Sequence, residues 1–250
     1  MMVNHLRWTI GMLLIFLAIG YSQNGATIKP FYGFFFPRMN DVNNKIKNDI
    51  RTFEDIFGEQ IPSPGNINGN RTFGGQIEYH LNENYFLNIN FSYFQEEVST
   101  LYISRVEPDA FLNYSRGVEL YDVIANLLYY FNYNSWRRFN TYVGIGVGLI
   151  IANAHSVTQT TYMALPLNSR GDFSGNSLSG TLSFGGNYRL AKFLYIWGEG
   201  GLMYGSMGQL DGSVTTLENP ERHSAVTTSS FDFTGVFVRA GLGIAVPFIR

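Results

Sequence analysis

From Ser177 to Tyr204 apolar and polar residues alternate with a period of two. Leu178, Leu182, Phe184, Tyr188 and Leu190 occupy even positions, and Ser177, Ser179, Thr181, Ser183, Asn187 and Arg189 occupy odd ones. After a break at Ala191-Lys192-Phe193 the alternation resumes, with Leu194, Ile196, Leu202 and Tyr204 set against Tyr195, Trp197, Glu199, Gly201 and Met203. Successive side chains of a strand point to opposite faces, so this pattern predicts two strands joined by a tight turn. The polar face carries only Arg189 and Glu199 as charges. A face wetted by bulk water would be rich in Lys and Glu. This one suits the crowded inside of a narrow barrel whose apolar face points outward.

Six further segments repeat the pattern. Ala26–Phe36 places Ile28, Pro30, Tyr32, Phe34 and Phe36 on one face, with Lys29 and Gly33 behind. Arg71–Leu81 sets Phe73, Ile77, Tyr79 and Leu81 against Gln76, Glu78 and His80. From Tyr85 to about Ser104 the apolar face is Tyr85, Leu87, Ile89, Phe91 and Tyr93; from Val118 to Phe131 it is Tyr121, Val123, Leu127, Tyr129 and Phe131, with Asp122 and Asn126 opposite. Phe139–Ala154 carries Val143, Ile145, Val147, Leu149 and Ile151, with a polar continuation to about Thr160, and Phe231–Phe248 closes the series with Arg239 on its polar face. The connections at 37–70, 105–117, 161–176 and 208–230 are long, and those at 82–84, 132–138 (with Trp136) and 191–193 are short. They alternate strictly. Short turns at one end, long loops at the other and an even strand count mark an up-and-down barrel of the bacterial outer membrane. Each strand supplies the roughly 9–11 residues needed to cross a bilayer, and Tyr and Phe gather at strand ends as an interfacial girdle requires. The fold expected is all-β: an eight-stranded antiparallel up-and-down transmembrane β-barrel with a short helix in the first outer loop.

That helix is read from Val42, Ile46, Ile50, Phe53 and Phe57, spaced four, four, three and four apart, with Asn40 or Asp41 as cap and Gly58 as stop. Two placements are open: packed on the mouth of the barrel, or lying in the membrane interface.

With the apolar faces outward, Lys29, Glu78, Asp122, Arg189, Glu199 and Arg239 point inward, three cations and three anions from six strands. An eight-stranded barrel is just wide enough to be filled by side chains, and buried charges must be paired. The expectation is a salt-bridged plug; a gated or narrow polar conduit is the alternative. No Lys or Arg falls on the outward face near mid-membrane, where each would cost roughly 2–4 kcal/mol.

The charged content of 14% lies well below that of soluble domains, and the net charge of −2 argues against a nucleic-acid partner. Cysteine is absent, which excludes disulfides, thiol catalysis and thiolate metal sites. His5 and Arg7, the apolar run Trp8–Ile19 and the small residues before Gln23 read as a secretory signal peptide over 1–22, leaving the barrel domain at 23–250. Gly144, Gly146 and Gly148 recur with period two inside a strand, not at a strand–helix turn where a phosphate would bind. His155 and Ser156 are adjacent on a strand and point to opposite faces, so they do not form a proton-sharing pair. The four His are scattered, and no cofactor, metal or catalytic group is expected.

The segments Tyr121–Phe131 and Thr141–Leu149 resemble the paired central strands of the small outer-membrane β-barrel family, the OmpA-transmembrane-domain and OmpW-like group. Two departures stand out: the sequence reads Pro247-Phe248-Ile249-Arg250 rather than closing on an aromatic residue, and the expectation is a barrel without the peptidoglycan-binding domain that some relatives append. The resemblance implies an integral outer-membrane protein of a Gram-negative bacterium, without cofactor and monomeric. Its partners would be outer-membrane lipid and an extracellular ligand or surface partner met by the four outer loops. An OmpW-like conduit for small apolar solutes is a second expectation, and a lipid-modifying barrel enzyme a more distant third. A soluble lipocalin-like barrel would reverse the two faces, against the low charge content.

Overall fold

The computed structural model describes residues 25–246 other than 108, 132, 136, 162–167, 209, 217–218 and 228–230. The expected signal peptide, Trp136 and the chain end at 247–250 lie outside the described residues. In chain order the elements are β1 (Ala26–Pro37), α1 (Asn40–Phe57), β2 (Asn70–His80), β3 (Tyr85–Ile103), β4 (Phe111–Tyr130) and β5 (Phe139–Thr160), then β6 (Ser169–Ala191), β7 (Leu194–Met207), β8 (Asp211–Thr216), β9 (Asn219–Thr227), β10 (Phe231–Asp232) and β11 (Gly235–Val246). Strands β1 to β7 and β11 form the wall. Each pairs antiparallel with its neighbours, and β1 closes the ring by pairing with both β2 and β11.

The register fixes the shape of the barrel. From Tyr32 the partners run through Phe73, Tyr93, Tyr121 and Ile151 to Asn176 on β6. In the other direction they run through Ala240 and Gly198 to Gly186 on the same strand. The two routes meet β6 ten residues apart (186 against 176). That stagger, at about 3.3 Å per residue against eight strand spacings of about 4.8 Å, tilts the strands by roughly 40°.

The outward face forms a continuous apolar belt that includes Ile145, Val147, Leu178 and Leu182. Aromatic rings border it on both sides. Tyr85, Tyr129 and Phe131 pack against one another at the short-turn end, and Phe73, Tyr93 and Tyr121 at the long-loop end. This is the double girdle of a membrane-spanning barrel.

Beyond the outer girdle the alternation reverses phase. In β4 the residues Asn113, Ser115 and Glu119 face out, while Leu112, Tyr114 and Val118 are buried inside. In β3 Gln95, Glu97 and Ser99 face out, with Phe94, Val98 and Tyr102 inside. Water has replaced lipid outside, and packed protein has replaced the polar lumen. The reversal explains why β4 and β6 run further than the alternation indicates. The β3–β4 connection is 104–110 rather than 105–117, and β6 begins at Ser169 rather than Ser177. Ile103 stands ten residues past Tyr93, roughly 25 Å above the girdle at this tilt. The last long connection also differs from expectation. It folds into the β8–β9 hairpin, which extends the sheet from β6. The strand expected at Phe231–Phe248 is split: β10 pairs with β7 near its end, and β11 starts only at Gly235.

Helix α1 lies inside the mouth. Val42, Ile46, Ile50, Phe53 and Phe57 are buried in one cluster with Val98, Leu112, Val118 and Ile150 of the wall. Phe53 meets Tyr114 edge-on at 6.4 Å, and Phe57 meets Tyr102 at 5.9 Å. Of the two placements open from the sequence, this is the first. The N-cap is Met39 rather than Asn40 or Asp41; it takes a left-handed φ of 44° and makes no side-chain cap bond. Its backbone N–H bonds to the Asp232 carbonyl, so tertiary structure holds the entry to the helix. Gly58 ends it with a φ of 65°, and its N–H bonds to Glu54 O.

Candidate functional site

The six inward charges take three different situations. Near the short-turn end, Lys29 Nζ lies 2.6 Å from Glu78 Oε2, and both side chains are almost completely buried. Tyr130 Oη donates to Glu78 at 3.1 Å, and Asn187 Nδ2 donates to Tyr130 Oη at 2.6 Å. Lys29 also stands 5.6 Å from the Trp197 ring and 5.7 Å from that of Tyr142. Higher in the lumen, Arg239 grips Glu199 Oε1 through Nη2 at 2.5 Å and Nε at 3.1 Å, and Tyr142 Oη donates to the other oxygen at 2.7 Å. The guanidinium also lies over two rings, 5.0 Å from Phe31 and 4.6 Å from Phe237. Extra donors and π faces of this kind are what an ion pair needs once water is removed.

Asp122 is held differently. Asn90 Nδ2 donates to its Oδ1 at 2.9 Å, Ser92 Oγ donates to Oδ2, and Asn90 Oδ1 accepts from Arg239 Nη1 at 2.8 Å. Arg189 departs from the interior set. It sits two residues before β6 ends, half-buried at the rim, and donates to the Ser135 carbonyl in the β4–β5 turn. Its parity is inward, but at that height the lumen has already opened.

Between the two ion pairs runs an uncharged polar layer. Asn88 donates to Gln76 at 2.8 Å, Asn126 to Asn88 at 3.3 Å, and Thr181 to Asn126 at 2.7 Å. A Cβ on Gly146 would collide with Asn126 Oδ1 and Thr181 Oγ1, so the glycine makes room for this layer. Tyr130, Asn187 and Asn90, which complete the charged clusters, carry no motif. Their signal in the sequence is the inward parity of large hydrogen-bonding side chains. A cavity of about 30 Å³ borders the upper pair, lined by wall residues with Arg239, Asn90, Asp122, Ser92, Thr72 and Thr181 as its polar part.

Two further polar clusters tie the outer parts together. Asp49 of α1 accepts from Tyr114 Oη at 3.1 Å and pairs with Arg116 at 3.3 Å. Burial pushes the Tyr114 hydroxyl well above the usual phenol range. Glu59 accepts from Ser104 Oγ, from Tyr102 Oη at 2.7 Å and from the Arg105 N–H. The Ser104 and Tyr102 hydroxyls hold its carboxyl down to about 2. His155 faces outward above the girdle, 3.7 Å from Glu97 and laid across Gly117, while Ser156 points inward. Among the described residues no group of three or more His, Asp or Glu side chains converges on a possible metal position.

A closed antiparallel eight-stranded wall, with an apolar belt outside and a polar, side-chain-filled lumen, defines the fold of the small outer-membrane β-barrels. The chain is similar in structure to the outer membrane protein OprG from Pseudomonas aeruginosa, with a TM-score of 0.51, 11% identity and coverage of 91% of this chain and 98% of that one. A major outer membrane protein from Thermus thermophilus gives a TM-score of 0.49, 11% identity and coverage of 88% and 99%. Neisserial surface protein A gives a TM-score of 0.42, 10% identity and coverage of 89% and 97%. No protein-family model matches the chain, and no curated protein matches it in sequence. At these identities the likeness is one of fold.

Proposed function

We propose that the chain is a monomeric integral protein of the Gram-negative outer membrane, exported by the leader at 1–22 and akin to the OmpA-transmembrane-domain and OmpW-like group. In this reading it acts through its outer surface rather than its lumen. The observation that carries the reading is the lumen itself: Lys29–Glu78, the Asn and Gln layer, Arg239–Glu199 and the underside of α1 succeed one another along it. The raised wall of β3 to β6 and the β8–β9 hairpin then present the outer connections to whatever partner they meet. The expected result in planar bilayers is no steady conductance from the wild-type chain, with detergent-dependent extraction and heat-dependent gel mobility on the same material. Steady single-channel conductance would overturn the plugged lumen.

A conduit for small apolar solutes is the second reading. It is favoured by the apolar upper lumen, where Phe35, Phe94, Ile124, Ile150 and Phe237 lie between the upper ion pair and α1. It requires α1 to leave the mouth. Uptake of a small apolar dye into liposomes, compared with that of a variant carrying a crosslink from α1 to β4, separates the two readings. The conduit predicts uptake that the crosslink stops.

A further inference from the structure

We propose that the outer stretch of β3, from Gln95 to Ile103, is a docking edge for an extended peptide strand, apolar towards its N-terminus and basic towards its C-terminus. The proposal rests on the surface reading above and gives that surface a partner of defined chemistry. β3 pairs with β2 only as far as Phe94, whereas its ladder to β4 continues without a bulge to Ile103. Beyond Phe94 one side of β3 therefore has no ladder neighbour among the described residues. Three hydrogen bonds show which backbone groups face that side. The Tyr93 carbonyl accepts from the Thr72 hydroxyl and the Gln95 carbonyl from Asn70 Nδ2, both on the β2 side. The Ser104 N–H instead donates to the Ala110 carbonyl, on the β4 side. Successive residues of a strand alternate in this respect, so Glu97, Ser99, Leu101 and Ile103 aim their N–H and C=O groups at the open edge.

The segment 59–69 passes this edge without closing it. Side chains of inward parity hold it to β3: Glu96 accepts from the Asn68 and Gly69 N–H groups, Thr100 donates to the Pro62 carbonyl, and Tyr102 donates to Glu59. Among the described residues no backbone hydrogen bond joins it to 95–103. Pro62 and Pro64 lack the N–H that a ladder strand supplies. Natural sheet edges are guarded by Lys, Pro or a bulge, and this one carries none of them. Its outward side chains end instead in Leu101 and Ile103, 67% and 61% exposed, with Val106 at 76% just beyond. These stand above the lipid belt, in water. An incoming strand would pair with the edge groups and cover these apolar side chains with its own, and half-exposed Glu97 at the lower end would attract a cation. Antiparallel to β3, such a strand meets Ile103 first and Glu97 last. A second copy in the same membrane does not fit, because its β3 also runs away from the bilayer and would cross this strand rather than oppose it.

The test uses the full wild-type chain in phosphatidylcholine nanodiscs and a blocked peptide of sequence isoleucine-threonine-valine-threonine-threonine-threonine-lysine, followed by NMR. The peptide is expected to shift the amide signals of Glu97, Ser99, Leu101 and Ile103 in a saturable way and to slow their hydrogen exchange. Exchange at Val98, Thr100 and Tyr102, whose amides already face β4, should not change. N-methylation of the valine and the central threonine keeps every side chain but removes two edge-facing donors, and should weaken binding about tenfold or more. Glutamate in place of the lysine should weaken it about threefold, a difference that Glu97→Gln removes. Leu101→Pro deletes an N–H that faces the open edge and spares the β4 ladder, so it should abolish binding with the barrel intact. No saturable shift, equal affinity for the N-methylated peptide, or shifts confined to residues outside 95–106 would each overturn the edge. If Leu101→Pro fails to fold, the N-methylated peptide on the wild-type chain decides it. Conductance is read separately: peptide binding beside a conducting lumen supports the edge and overturns only the plug, and a silent lumen without binding overturns only the edge.

Discussion

At the scale of single residues, the buried ion pairs make the sharpest test of the lumen. Lys29→Met leaves the Glu78 carboxylate buried with only Tyr130 as donor, and urea unfolding in detergent should show a loss of about 3–5 kcal/mol. Lys29→Met combined with Glu78→Leu removes both charges and should recover most of that loss, because the pair repays little more than its own desolvation. Glu59 makes a prediction in pH. Its carboxyl sits at about 2 when bonded to Ser104 and Tyr102, against 4.5 when free. The contribution is therefore complete above about pH 4.5 and is lost as pH falls through 2. Amide exchange in the 58–69 segment should accelerate over that window, and Glu59→Gln should flatten the dependence. Residue placement is partly legible in the sequence. Parity alone puts Lys29, Glu78, Asp122, Glu199 and Arg239 inside. It cannot say who meets whom, since partners on different strands are matched by height, and height follows from the ten-residue stagger. Arg189 shows the same gap, with inward parity but a position at the rim.

At the scale of elements, α1 and the raised wall stabilise each other. Ile46 is almost fully buried on the underside of the helix, whereas Lys45, Lys47 and Arg51 are exposed on its outer face. Ile46→Asp places a charge in that apolar contact and should unpin the helix. Limited trypsin digestion should then cut after Lys45, Lys47 and Arg51 at least tenfold faster than in the wild type, while the membrane-embedded strands stay protected. The helix is visible in the sequence because five apolar residues keep its period. Its N-terminus is not, because Met39 is held by the Asp232 carbonyl rather than by a capping side chain. The upper parts of β4 and β6 escape sequence reading for a related reason, whereas the reach of β3 to about Ser104 is legible. An alternation that reverses phase looks like the end of a strand, although the backbone ladder continues from Tyr93↔Tyr121 to Ile103↔Phe111.

At the scale of the whole molecule, the barrel is a boundary between solvents, and the phase reversal marks where they change. Val147 lies between the two girdles and faces lipid, while Asn153, six residues along the same strand, faces outward above the outer girdle. Val147→Arg should lower unfolding stability in lipid by roughly 2–4 kcal/mol, and Asn153→Arg by no more than about 1 kcal/mol. Equal costs would misplace the membrane boundary. The period-two alternation, the strict succession of long and short connections and the scarcity of charge determined eight membrane-crossing strands, their direction and their lipid face. Each is a local property, repeated along the chain, and needs no knowledge of neighbours. Only the tertiary structure decided the stagger, the two ion pairs, the hydrogen bonds that hold Asp122 above them and the seating of α1. These depend on which residues of distant strands reach the same level, and that is set once the ring has closed.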